Sequence, residues 1–213
     1  MKTNLKLFKV LLLICHVAAC IAITWGQSLP ASPGLPATFI QPKVIEDRSV
    51  LAGWQRYQFG VEPPFSVILP VAPDVTAERN ATALVNTYLT NKGSAVYGAS
   101  RLDGSGRIAE NATEGERQMF FQNFIEGFAT GFQESLKKDN LKYEMKLSDP
   151  RKVTAAGREA FQQDLTVGAF QGSAQIVFLR SGAFCVFSIW NPETPAADRE
   201  AFFNSFQLGD IPK

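Results

Sequence analysis

The sequence predicts an α+β fold: an antiparallel β-sheet with a long Phe-rich helix and a short C-terminal helix packed on it. Three observations lead there. Short runs alternate apolar and polar residues at period two. A stripe of phenylalanines at helical spacing interrupts those runs. A second phenylalanine cluster closes the chain behind a proline start signal. Strands, a long helix, more strands and a terminal helix is the order expected of an antiparallel sheet with helices on its faces.

The first strands are marked by Tyr57, Phe59 and Val61, then by Phe65, Val67 and Leu69 before Pro70. The long helix opens at Thr113, which forms a capping box with Glu116 three residues on. Phe121, Ile125, Phe128, Phe132 and Leu136 fall on one stripe, flanked by Phe120 and Phe124 together with Gly127 and Gly131. Each interior glycine costs about 1 kcal/mol against alanine, so something should offset it. Either the helix back approaches the sheet closely, or Phe124, Gly127, Phe128, Gly131 and Phe132 line a slot for an apolar ligand.

Beyond the helix, Leu141, Tyr143, Met145 and Leu147 alternate with Lys142, Glu144, Lys146 and Ser148, a strand with one wet face. Two runs between Ser173 and Trp190 join at Ser181-Gly182, read as a two-residue hairpin turn. The second, Ala183 to Trp190, is apolar on both faces apart from Ser188 and belongs in the middle of the sheet. The last helix takes Thr194 as N-cap and Pro195 as its first residue. Phe202, Phe203 and Phe206 give it an apolar face, and Gly209 can end it.

Residues 1–26 read as an export signal rather than part of the fold. Lys2, Lys6 and Lys9 precede an apolar run from Val10 to Trp25. That run is shorter than the roughly 20 residues a membrane span needs; left uncleaved, it would act as a signal-anchor. Cleavage before Gln27 suits ordinary signal peptidase. Alternatively Val17-Ala18-Ala19-Cys20 resembles a bacterial lipobox, which would place a diacylglyceryl group on Cys20. Residues 27–43 form a Pro-rich linker punctuated by Pro30, Pro33, Pro36 and Pro42. As an extended polyproline segment at about 3.1 Å per residue, it would reach roughly 50 Å. Residues 44–213 remain as a single α+β domain, enough to bury about 70% of the unfolded surface.

Composition narrows the functions. A hydrophobic share of 46% fits a globular protein and neither a disordered chain nor a polytopic membrane protein. With 21 basic and 20 acidic residues the chain lacks the charge of a general nucleic-acid binder. Losing residues 1–26 removes three Lys and no acid, taking the formal charge from +1 to −2. It also removes His16, the one histidine, and leaves Cys185 as the one cysteine besides Cys15 and Cys20 of the signal. A Ser-His or Cys-His nucleophile pair and the usual zinc ligand sets are then unavailable to the mature chain, so neither a metal nor a cofactor is expected. Cys185 lies in the most apolar strand, where a cysteine behaves as a small core residue. Sequons stand at Asn80 and Asn111.

Catalytic motifs fail on context. Ser135-x-x-Lys138 puts its serine at the wrong end of a helix, without Ser-Asp-Asn or Lys-Thr-Gly elsewhere. Tyr88-x-x-x-Lys92 has no dinucleotide loop ahead of it; Gly104, Gly106 and Ala109 imitate one, but Asp103-Gly104-Ser105-Gly106 reads as a turn. The spacing of Glu114, Glu116, Asp164, Asp198 and Glu200 singles out no catalytic pair. The expectation is a protein that is not an enzyme. For binding, Trp54, Arg56 and Gln58 share the strand face opposite Tyr57 and Phe59. They form either an exposed contact patch or a cap in which Arg56 lies across Trp54 at the core edge. Arg151 and Lys152, following Pro150, read as a solvated loop.

Taken together, several features resemble exported PsbP-like proteins: the export signal, the Pro-rich linker, a Trp-containing first strand (Trp54 to Phe59) running into Phe65 to Pro70, and the closing Phe202-Phe203-x-Ser205-Phe206 helix. The resemblance spans about residues 50–208 and lies in the plan, not in a diagnostic motif. It implies an αβα sandwich and non-enzymatic accessory binding to larger complexes. The histidines with which some photosystem members hold metal are absent after residue 26, so no metal site carries over. The expected role is an exported accessory protein contacting a membrane-associated protein complex. Its compartment would be a bacterial extracytoplasmic space, or the thylakoid lumen of a photosynthetic relative. A carrier of a small apolar ligand is the alternative, and an unrecognised hydrolase a third.

Overall fold

Two antiparallel sheets are present where the sequence suggested one. The structure, a computed structural model, describes residues 41–47, 51–60, 64–79, 83–104, 112–123, 125–126, 144–179 and 182–209. Residues 1–26, expected as an export signal and including Cys20, and nearly all of the expected linker lie outside them. The smaller sheet consists of β1 (Lys43–Ile45), β2 (Gln55–Phe59), β3 (Phe65–Leu69) and the two-residue β12 (Gln207–Leu208), in the order β1-β2-β3-β12. The larger contains β4 (Asp74–Arg79), β5 (Ala83–Lys92), β6 (Ala95–Gly104), β7 (Met145–Leu147), β8 (Arg151–Ala155), β9 (Arg158–Val167), β10 (Phe170–Leu179) and β11 (Gly182–Trp190). Its order is β4-β5-β6-β11-β10-β9-β7, with β8 also pairing β9.

The α+β class holds broadly, but a second sheet shares one face of the large sheet with a helix, a layer that the sequence did not suggest. Helix α1, described at residues 114–123 and 125–126, covers one face of the large sheet. The other face is covered by the small sheet and by α2 (Ala196–Asn204). The reason lies in β3, buried at all five positions. A strand apolar on both faces must be enclosed on both, so β3 serves as the middle of a second layer instead of the rim of the first.

Each face has its own core. Phe121 and Ile125 of α1 are buried with Leu89, Val96, Phe161, Leu165, Ile176 and Cys185, and the Phe121 ring stacks on Phe161 at 5.7 Å. Between the sheets, Phe59, Phe65, Val67 and Leu69 meet Tyr88, Ala99, Phe184 and Val186, joined by Phe202 and Phe206. β11 lies between β6 and β10, and its residues from Ala183 to Trp190 are buried, as their two-faced apolar pattern requires.

Local signals hold with small shifts. The capping box forms: the Thr113 backbone N–H donates to Glu116 Oε2 at 2.7 Å, and the Glu116 N–H donates to Thr113 Oγ1 at 3.3 Å. Bonds from the Thr113 backbone and hydroxyl hold the Glu116 carboxyl below its ordinary range. At the β10–β11 hairpin Leu179 pairs with Gly182, which also pairs with Asp103. Gly182, expected in the turn, is therefore held in the ladder. β7 is described only at Met145–Leu147, while residues 141–143 lie outside the described set. Asp103 and Gly104 belong to β6, paired with Leu84 and Ala83, so the first half of the expected 103–106 turn is strand.

For α2 the N-cap is Pro195 and not Thr194. The Thr194 hydroxyl is drawn back to Asn191 Oδ1 at 3.0 Å. The helix ends at Ser205, whose hydroxyl donates to the Phe202 carbonyl at 2.6 Å and accepts from the Ile68 N–H at 2.9 Å. Gly209 lies beyond β12 and serves a close approach: its N–H donates to the Pro64 carbonyl at 2.7 Å, where a Cβ would stand 2.6 Å from Pro64 Cγ.

Gly98 and Phe187 face each other across β6 and β11, and a Cβ on Gly98 would overlap the outer carbons of the Phe187 ring. Gly98→Val is expected to cost about 1–3 kcal/mol through overpacking. Urea unfolding checks this, and a second substitution, Phe187→Leu, should recover part of the loss.

Candidate functional site: a polar face on the large sheet

On the small-sheet side, β8, β9 and β10 extend beyond the covering layer and present a polar face. Paired residues share a face and alternate residues change it. The register therefore aligns Gln175, Gln162 and Arg151 in one row and Ser173 with Asp164 in the next. Trp190, Gln171, Thr166 and Lys146 form a third row. Gln171, Thr166, Lys146 and Arg151 are exposed, and Gln162, Asp164 and Gln175 are half-buried.

Hydrogen bonds tie these side chains together. Gln175 Nε2 donates to Gln162 Oε1 at 2.9 Å, Gln162 Nε2 to Asp164 Oδ1 at 3.0 Å, and Arg151 to Asp164 Oδ2 at 2.6 Å. At the border with α2, Trp190 Nε1 donates to Gln171 Oε1 at 3.3 Å, and the Arg199 guanidinium lies 4.8 Å from the Trp190 ring centre. The face thus combines three amides, one carboxylate, the Arg151 guanidinium, the Lys146 ammonium and an indole edge bordered by Arg199. It can exchange directional hydrogen bonds with a polar surface.

Burial pushes the Asp164 carboxyl up, but the hydrogen bonds from Arg151 and Gln162 and the Arg151 charge outweigh it and hold the group below its ordinary range. Asp164 is therefore ionised at neutral pH and is not poised as a general acid. The fold favours the charged form, so this contribution is present above the unfolded-state value and is lost as pH falls through the folded one. Between about pH 5 and pH 2, Asp164→Asn should show a smaller acid loss of stability than the parent. Urea midpoints across that range measure it.

The expected contact patch is not exposed. Trp54 and Arg56 are 3% and 6% exposed, and Gln58 is half-buried. Trp54 packs edge-on against Tyr97 at 5.1 Å. Arg56 Nε donates to Asp47 Oδ2 at 2.5 Å, and its NH1 donates to Ser66 Oγ at 3.1 Å and to the Ser205 carbonyl at 2.7 Å. The alternation correctly put Arg56 opposite Tyr57 and Phe59, but the end of α2 and the segment around Asp47 close over that side as well. Arg56 anchors one layer; it offers no free patch.

The residues read as an apolar slot, Phe124, Gly127, Phe128, Gly131 and Phe132, lie outside the described residues, as do Ser135 and Lys138. The described part of that helix closes directly onto the sheet through Phe121 and Ile125. Tyr88 is fully buried in the inter-sheet core, and Lys92 pairs with Asp198 at 2.9 Å. Glu114 pairs with Lys152, and Glu116 serves the capping box. Burial pushes the Cys185 thiol up to about 12, the state of an inert core thiol. Arg151 and Lys152, expected in a loop, belong to β8 and are exposed.

The polar face itself was missed. Its signal is present in Phe161-Gln162-Gln163-Asp164-Leu165-Thr166-Val167, whose even positions face water. The bond from Gln163 Nε2 to the Ser148 carbonyl at 2.6 Å explains the one polar residue on the buried side. Among the described residues no group of three or more His, Cys, Asp or Glu could hold a metal ion, and no helix is long and apolar enough to cross a membrane. No family model and no curated protein matches the chain.

Proposed function

We propose that the chain is an exported, non-catalytic accessory domain that binds a partner protein at or near a membrane. The polar face of β8, β9 and β10 is its contact surface. The observation that carries this reading is the hydrogen-bonded chain Gln175–Gln162–Asp164–Arg151, in which each side chain is tied to the next. Side chains already ordered lose little further freedom when a partner docks. The export signal and Pro-rich linker of the sequence supply a route out of the cytoplasm and a spacer. The PsbP-like plan points to the same kind of role, in a bacterial extracytoplasmic space or a thylakoid lumen.

A photo-reactive amino acid at Gln171, in the full-length protein expressed in its own host, tests the reading. The expected result is a crosslink to one subunit of a membrane-associated complex, lost when Arg151→Glu and Gln175→Arg are added. The same probe at Met119, exposed on the α1 side, should give none. Equal crosslinking from both positions, or none from Gln171, would reject this surface.

A further inference from the structure

The seam between the two sheets carries polar groups that no described residue satisfies. Asn86 and Thr90 of β5 flank Tyr88 on the face turned toward the small sheet, Tyr97 of β6 pairs across the ladder with Thr90, and Trp54 meets Tyr97 edge to face. All four residues are 3% exposed or less. Among the described residues no hydrogen-bond partner meets Asn86 Nδ2 or Oδ1, Thr90 Oγ1, Tyr97 OH or Trp54 Nε1. Two hydroxyls buried elsewhere on the large sheet are paired: Ser188 Oγ donates to the Val96 carbonyl at 2.8 Å, and Ser100 Oγ to Thr87 Oγ1 at 3.2 Å.

A buried polar atom without a partner pays its desolvation in full, and such atoms are rare for that reason. Five of them on four neighbouring residues, left dry, would offset much of the stability of an ordinary domain. Their chemistry defines what must meet them. An indole N–H only donates, a carboxamide oxygen only accepts, and the two hydroxyls do both. Lys92 Nζ is bonded to Asp198 and lies 5.1 Å from the Trp54 ring centre, and the Arg199 guanidinium lies against the Trp190 ring. Burial, reinforced by Asp198, raises the Tyr97 phenol, so it remains a neutral donor. The unpaired groups of the seam are themselves all neutral, and water can both donate and accept at them.

We propose that the seam encloses ordered internal water at two places, one shared by Trp54, Thr90 and Tyr97 and one at Asn86. The small sheet and α2 are then joined to the large sheet along β5 and β6 through water as well as through the aromatic core. This is independent of the contact surface proposed above.

Magnetisation transfer from water in the 15N-labelled protein is the test, read at the Trp54 indole N–H and the Asn86 side-chain amide. Direct cross-peaks from long-lived water are expected at both. Thr90→Val and Asn86→Leu, close in volume to the parent residues, should each lower the folded-to-unfolded ratio about fivefold or more, because each strands a water that had a partner. A dry seam gives the opposite: no cross-peaks, and a higher ratio in Thr90→Val because an unpaired hydroxyl is removed. Either result overturns the proposal. The milder Thr90→Val keeps the test decisive if Asn86→Leu fails to fold.

Discussion

Replacing Arg56 with methionine is expected to lower stability by about 3–5 kcal/mol, the range for removing one member of an enclosed ion pair. The guanidinium bonds at once to the Asp47 carboxylate, the Ser66 hydroxyl and the Ser205 carbonyl. Ser205 caps the C-terminus of α2, where unpaired carbonyls and the helix dipole favour a cation. Methionine keeps much of the stem packing, so the loss reports the charge and its hydrogen bonds. Lysine should restore only part of it, since a single ammonium cannot reproduce the fork that reaches three acceptors. Urea unfolding of the parent, Arg56→Met and Arg56→Lys would show the order. A methionine variant as stable as the parent would mean that packing alone holds the end of α2.

The same residue shows how far the sequence could be read. Alternation from Gln55 to Phe59 placed Arg56 and Tyr57 on opposite faces, and it did so correctly. It could not show that both faces are covered, because the cover on the Arg56 side comes from Ser205, 149 positions along the chain. The second sheet was hidden in the same way. The Tyr57–Phe59 and Phe65–Leu69 runs look like any strands, and their sheet membership depends on pairings such as Ser66 with Gln207. Signals complete within a few residues were legible: the Thr113–Glu116 capping box, the doubly apolar Ala183–Trp190 strand, the phenylalanine face of α2. The polar face sits between these cases. Its alternation in β9 is visible, but an alternating strand ordinarily has one wet face. Only the register of β9 with β10 brings Gln162 and Gln175 together.

Phe65→Ala should be at least as damaging, with an expected loss of about 3–5 kcal/mol. The Phe65 ring lies 4.9 Å from Phe59, 6.1 Å from Tyr88, 4.6 Å from Phe184 and 6.3 Å from Phe206. It therefore joins β2, two strands of the large sheet and the residues that follow α2. Truncation leaves a cavity bordered by aromatic rings, which cannot rotate into it as readily as aliphatic chains. Phe65→Leu, which refills part of the volume, should cost distinctly less. Hydrogen exchange adds what an unfolding midpoint cannot. If both layers unfold as one unit, protection at Val67 and at Ile176 should fall together in the alanine variant. If the small layer opens by itself, Val67 should lose protection while Ile176, on the α1 side of the large sheet, keeps it. Phe65 crosses to the large sheet at Tyr88 and at Phe184, and Phe59 crosses to Tyr88 beside it, and that favours the first outcome.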